Sequence, residues 1–197
     1  MQAAEIELKF PVEDLSEFRQ RVATTGLFHL ETARTFESNT LYDTPDRRLR
    51  AATQLLRLRT YGDRATVTHK RMAVAETVPS RFKTRIETES IVSDPEALAE
   101  IFAQLGLGTV FRYEKFRTEW ACEDGHLVLD ETPIGHWAEL EGAPEWIDRM
   151  MIRLDVDPAT ASTLSYGKLF LEWRERTGSS AENLTFDEVS AAQPALA

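Results

Sequence analysis

Residues 5 to 10 read Glu5-Ile6-Glu7-Leu8-Lys9-Phe10, and the architecture turns on how this stretch is placed. Strand side chains alternate between faces, so Glu5, Glu7 and Lys9 share one face while Ile6, Leu8 and Phe10 share the other. Two carboxylates about 7 Å apart with an ammonium beyond them, on one rigid element, offer a divalent-metal site beside a phosphate contact. A single strand of this kind is more often a solvated sheet face, so the other strands decide between the two readings.

Working outward, Leu15, Phe18, Val22 and Leu27 recur near helical spacing, between Asp14 as the starting cap and Gly26 as the stop. Strands are predicted from about Thr35 to Asp43, Leu55 to Tyr61 and Arg64 to Lys70, with Gly62-Asp63 as the hairpin turn between the last two. Another strand spans about Phe82 to Ile91. Asp94-Pro95 then opens a helix with the stripe Leu98, Ile101, Phe102 and Leu105, ended by Gly106. Further strands fall near 110–122, 126–131 and 136–141, and helices run from Glu145 to about Leu154 and from Ser165 to Arg176. The result is eight strands, antiparallel where short turns join them, and four amphipathic helices. Eight is a number at which a sheet can close on itself.

The chain has 197 residues, 42% hydrophobic and 28% charged, which suits one soluble domain with a real core. A formal charge of −10 argues against a broad surface for nucleic acid or anionic lipid. It leaves room for a small polyanion in a locally basic pocket. Cys122 is the only cysteine, so no internal disulfide forms. No apolar run approaches the roughly 18 residues of a membrane span, and the N-terminus lacks the pattern of a leader peptide. These features predict a cytoplasmic protein. The segment from Thr177 to Ala197, rich in Ala, Ser and acidic residues, is expected to be a loosely ordered tail beyond a single domain of residues 1–176.

The charged faces carry the functional signal. Their basic residues are Lys9, Arg57, Arg59, Lys70, Lys83, Arg85, Lys115 and Arg117, and their acidic ones Glu5, Glu7, Glu87, Glu89, Glu119, Asp130, Glu139 and Glu141. Solubility alone would scatter the signs, whereas Arg-x-Arg on one strand, Arg-x-Glu-x-Glu on another and Glu-x-Glu on the last are grouped. Closing such a sheet with its charges inward requires a hydrated lumen of balanced charge, because an isolated buried ion is costly. Acid clusters then suit divalent cations, and guanidinium forks suit phosphate oxygens.

On these residues the sequence resembles the CYTH family, the triphosphate tunnel metalloenzymes, which includes class IV adenylyl cyclases, thiamine triphosphatases and inorganic triphosphatases. The family's E-x-E-x-K signature stands here as Glu5-Ile-Glu-Leu-Lys9. The likeness continues through Tyr42-Asp-Thr-Pro45, Leu56-Arg-Leu-Arg59, Thr68-His-Lys70, Arg85-Ile-Glu-Thr-Glu89, Lys115-Phe-Arg117, Leu129-Asp130, Gly135 and Glu139-Leu-Glu141. The resemblance implies an α+β fold: an eight-stranded antiparallel closed β-barrel, the triphosphate tunnel, with amphipathic helices outside and a C-terminal helix. It also implies site roles. Glu5, Glu7, Glu139, Glu141 and Asp130 look like metal ligands for Mg2+ or Mn2+. Glu87, Glu89, Asp130, Glu141 and Lys168 fall at positions with a catalytic part, and Lys9, Arg57, Arg59, Lys70, Arg85, Lys115 and Arg117 resemble the phosphate-binding ring.

This chain departs from the pattern in lacking a Gly-rich turn between Lys70 and Arg85, and Lys83 is an extra cation. Arg47 and Arg48 read as solvated turn charges, and His29, His69, His126 and His136 have no metal-ligand spacing. Trp137 shares the face of Glu139. The expected function is a metal-dependent phosphohydrolase for a linear triphosphate, inorganic or organic. Alternatives are a class IV adenylyl cyclase making cyclic AMP and pyrophosphate, or a noncatalytic polyphosphate-binding module. The expected partner is the small triphosphate, with no nucleic acid or membrane, on a monomer or small homo-oligomer.

Overall fold

The computed structural model describes residues 2–72 and 82–192, with the backbone alone for residues 2–5 and 83. Alternating polarity and tight turns produce a run of antiparallel strands: β1 (Gln2–Val12), β2 (His29–Asp43), β3 (Leu55–Tyr61), β4 (Arg64–Met72), β5 (Lys83–Val92), β6 (Gly108–Cys122), β7 (Gly125–Thr132) and β8 (Gly135–Glu141). They close into a barrel in the order β1-β5-β4-β3-β2-β6-β7-β8. The predicted fold class is therefore realised. The seam lies on β1, whose residues 2–7 pair with β5 and whose residues 7–12 pair with β8.

The outward faces are apolar and covered by helices. Asp14 caps α1 (Leu15–Thr25) by accepting from the backbone N–H groups of Ser16 and Glu17, which orients Phe18 and Val22 into the largest core. That core joins Leu8, Phe10, Leu127, Leu129 and Leu140 to Trp146, Ile147, Met150 and Met151 of α4 (Pro144–Arg153). Gly125 and Gly142 are required there, because a Cβ at either would come within 2.5 Å or 2.9 Å of the Trp146 ring. α3 (Pro95–Gln104), capped by Asp94, seats Phe102 against Tyr42 and Leu58. Two further helices were not anticipated from sequence. One is the single turn α2 (Arg48–Ala51), held by the buried Asp43 carboxylate, which accepts from the N–H groups of Thr44, Leu49 and Arg50. Asp43 thus has a structural use in folding this turn.

The C-terminal part differs most from expectation. α5 (Tyr166–Thr177) packs Leu169, Phe170 and Trp173 over one end of the barrel, and the chain then continues into α6 (Phe186–Ala192). The loose tail expected from Thr177 is corrected through Ala192. Leu184 is fully buried, and its backbone bonds both Arg112 and Glu114 of β6. The physical reason is an unpaired edge: β7 pairs with β6 only from Phe116 onward, so the segment around Leu184 fills the vacant ladder positions. β2 and β6 also begin earlier than predicted, at His29 and Gly108. Among the described residues no helix is long and apolar enough to cross a membrane.

Candidate active site

Strand alternation turns one face of every strand inward, and the register stacks those residues into a charged lumen. On β3, Arg57 stands opposite Thr68 of β4 and Leu41 of β2, and Arg59 stands opposite Thr66 and Asn39. Lys9 of β1 is opposite Glu139 of β8, and Arg117 of β6 is opposite Asp130 of β7. The cavity so formed is lined by Lys9, Arg57, Arg59, Lys70, Arg85, Lys115 and Arg117, against the carboxylates Glu7, Glu139 and Glu141. Its volume of about 130 Å3 is room for about four waters at roughly 30 Å3 each, enough for so many charges to avoid a dry interior. Leu41, Leu55, Phe111 and Tyr113 form an uncharged side, and Ser165, Tyr166 and Gly167 at the start of α5 close one end.

Three carboxylates converge within it. Glu7, Glu139 and Glu141 each bring one oxygen to within 4.8 Å of the others. Glu139 also accepts from Lys9 at 2.6 Å and from Arg117 at 2.8 Å. Burial alone would raise the Glu139 pKa, but Lys9, Arg117 and Lys115 outweigh it and hold this carboxyl well below the usual range. Lys9 is likewise desolvated, and Glu139 and Glu7 more than compensate, so its pKa is raised. The group at the bottom of the lumen is therefore ionised on both sides.

A second anionic centre locks the cations in place. Asp130 is fully buried; its Oδ1 accepts from Arg117 Nε at 2.7 Å, and its Oδ2 accepts from Lys115 at 2.8 Å, Arg117 Nη2 at 2.7 Å and the Tyr166 hydroxyl at 2.6 Å. Glu37 of β2, also fully buried, lies 3.4 Å from Lys115, 3.7 Å from Arg59 and 3.8 Å from Arg117, and accepts from Asn39. Burial raises its pKa, but Lys115, Arg59, Arg117 and Arg57 dominate and push it far below the usual carboxylate value. By contrast the Nε groups of Arg57, Arg59 and Arg85 have no hydrogen-bond partner among the described residues, Arg59 Nε meeting Glu37 only as an ion pair at 3.7 Å.

All seven cations predicted for the phosphate ring line this one cavity, and Glu7, Glu139 and Glu141 of the predicted metal ligands meet there. The side chain of Glu5 lies outside the described residues; its backbone pairs with Arg85. Asp130 does not join the carboxylate triad and is saturated by its own donors. Glu87 pairs with Lys70, and Glu89 accepts from Thr68 at 2.7 Å; neither is among the cavity-lining residues. Lys168 is exposed and does not line the cavity, whereas its neighbour Tyr166 does. Glu37, Asn39 and Tyr166 were missed by sequence reasoning. For the first two a signal existed, since Glu37, Asn39 and Leu41 share the inward parity of β2.

Comparison with known proteins gives the family. The model of the CYTH domain matches residues 3–145. The chain belongs to the CYTH family. A "Putative adenylate cyclase" of Methanocaldococcus jannaschii is 26% identical over 138 residues, covering 70% of this chain and 75% of that protein. Among solved structures, the PH1819 protein of Pyrococcus horikoshii superposes with a TM-score of 0.72 at 24% identity, covering 86% of this chain and 99% of the other. The "Putative adenylyl cyclase HpAC1" of Hippeastrum, described as having a dominant triphosphatase activity, superposes at 0.61 with 18% identity, covering 88% and 96%. At such identities the two structures show a shared fold.

Proposed function

We propose that this CYTH protein is a divalent-metal-dependent phosphohydrolase that binds a linear triphosphate in the lumen and releases its terminal phosphate. The observation that carries this reading is the lining itself: seven cationic side chains gather on one cavity beside a carboxylate triad. Carboxylates behind the wall hold several of these cations in place, so a preformed cluster of positive groups faces the lumen, an arrangement suited to a compact polyanion. The Nε donors of Arg57, Arg59 and Arg85, which make no hydrogen bond among the described residues, suit phosphate oxygens, for which the guanidinium fork is shaped.

The residues also fit a hard divalent ion. Glu7, Glu139 and Glu141 offer three oxygen donors that all lie within 4.8 Å of one another, and carboxylate oxygens are the donors such an ion takes. Mg2+ or Mn2+ held there would supply Lewis-acid stabilisation of charge on the phosphate oxygens. The chain's own contribution is positional. Lys9, held by Glu139, and Arg117, held between Glu139 and Asp130, stand beside the triad, and the charge growing on the transferred phosphoryl group and its leaving diphosphate is met by preorganised cations.

The test is product identity. Purified protein is incubated with tripolyphosphate, ATP and thiamine triphosphate, with and without Mg2+ or Mn2+, beside Glu139→Gln as control. The expected result is metal-dependent orthophosphate release that the variant loses. Cyclic AMP and pyrophosphate from ATP would instead establish a cyclase, and tight binding without turnover under every condition a noncatalytic module.

A further inference from the structure

Tyr166 occupies a place that none of the charged residues explains. It is the first residue of α5, fixed there by Ser165, whose hydroxyl caps the helix. Its hydroxyl donates to Asp130 at 2.6 Å. Its ring face carries Lys9 Nζ at 3.7 Å from the centroid and Lys115 Nζ at 4.9 Å. The ring also stacks with Tyr113 at 6.0 Å, and the Tyr113 hydroxyl accepts from Arg57 at 3.2 Å. One ring therefore touches two ammonium groups directly and a guanidinium through one neighbour.

The need for such a ring follows from charge. Lys9 and Lys115 are only 3% and 2% exposed, and a desolvated ammonium demands compensation. More carboxylates would stabilise both lysines, yet would cancel the positive charge that a polyanion requires. The quadrupole of an aromatic face attracts a cation while adding no net charge. We propose that Tyr166 is a positioning residue for the phosphate site, whose ring holds the Lys9 and Lys115 ammonium groups in the lumen while adding no negative charge to the carboxylates they already meet, Glu139 for Lys9 and Asp130 with Glu37 for Lys115. Its hydroxyl, desolvated and beside Asp130, has a pKa raised well above the usual phenol value and stays protonated, so it acts as a donor and not as a base. Lys168, predicted for a catalytic part, is exposed and does not line the cavity, whereas Tyr166, a neutral residue of the same helix, meets the cations at this end.

This inference rests on triphosphate binding as proposed above, and the experiment separates the two. Affinity for tripolyphosphate is measured by calorimetry with Mg2+ for wild type, Tyr166→Phe and Tyr166→Leu, together with kcat and KM. If wild type binds no triphosphate, the functional reading fails. If it binds, Tyr166→Leu is expected to raise Kd at least roughly tenfold, the equivalent of one desolvated cation–π contact, while Tyr166→Phe stays within about threefold. An unchanged Kd in Tyr166→Leu, or a loss in Tyr166→Phe as large as in Tyr166→Leu, overturns the role of the ring. Phe170→Leu loosens the same helix and is expected to lower Tm with Kd unaltered; a matching rise in Kd there would reduce Tyr166 to packing. Should Tyr166→Leu not fold, Tyr166→Met fills the space with a flexible chain and is read by the same criteria.

Discussion

Replacing Asp130 by alanine tests whether the buried ion network holds the barrel together. Asp130 accepts four hydrogen bonds from three side chains while fully buried, and the two cations it serves, Lys115 and Arg117, are 2% and 6% exposed. Removing one partner of a buried ion pair typically costs about 3–5 kcal/mol, because the remaining charge is left without compensation. Here the lower end applies. Lys115 keeps Glu37 at 3.4 Å and Arg117 keeps Glu139 at 2.8 Å, so neither cation is stranded. A loss of about 3 kcal/mol in a chain of this size lowers Tm by roughly 6–12 °C. Thermal and urea unfolding followed by far-ultraviolet circular dichroism, without phosphate ligands, measures it. Asp130→Asn keeps the volume and removes the charge, so it should lose nearly as much as alanine. A loss below about 1 kcal/mol in both variants would falsify the network's structural role, and a large loss in alanine alone would assign the effect to packing.

Other expectations follow from the same geometry. Glu37→Gln removes an anion that competes for Lys115, Arg59 and Arg117, so tripolyphosphate should bind several-fold more tightly while Tm falls; weaker binding in calorimetry contradicts this. Glu141→Gln and Glu7→Gln should each weaken Mn2+ binding by about tenfold or more in calorimetry, with far-ultraviolet spectra unaltered. Stability should fall on both sides of a plateau. Glu37 and Glu139 have folded pKa values depressed below the ordinary 4.5, because nearby cations outweigh burial, so their contribution is complete above that value and is lost as pH falls below it. Tyr166 has a folded pKa raised above the ordinary 10.0 by burial and by Asp130, so its contribution is complete below 10.0 and is lost as pH rises past it. Urea midpoints that rise in either outer range would oppose these signs.

Much of the site was legible because strand parity alone decides which residues share a face. Once Lys9, Arg57, Lys115 and Glu139 lie on strands of one barrel, alternation commits their neighbours Glu7, Arg59, Arg117 and Glu141 to the same lumen. Parity does not state who pairs with whom. Asp130 shares the inward face with the metal-ligand candidates, yet register sets it directly opposite Arg117, and its oxygens are consumed there. Glu37 was obscured because its face continues into Asn39 and Leu41, which breaks the run of charges. Tyr166 reads in sequence as one more apolar residue of an amphipathic helix; only the docking of α5 across the barrel end brings its ring to Lys9. The segment after Thr177 offered too few apolar residues for a periodic signal, and its packing depends on an edge of β6 that exists only in the closed sheet.

The seam of the barrel has a consequence for how the molecule is put together. Among the described residues, Glu7 alone on β1 is paired on both sides, to Lys83 of β5 and Glu141 of β8. It also supplies one oxygen of the carboxylate triad. Pairing β1 with β8 and completing the triad thus go together, since Glu7 lies on β1 and Glu139 and Glu141 lie on β8. An ion seated across Glu7, Glu139 and Glu141 would act as a clasp, so the amide protons of β1 serve as a gauge of lumen occupancy, readable by hydrogen exchange far more directly than any change in overall shape.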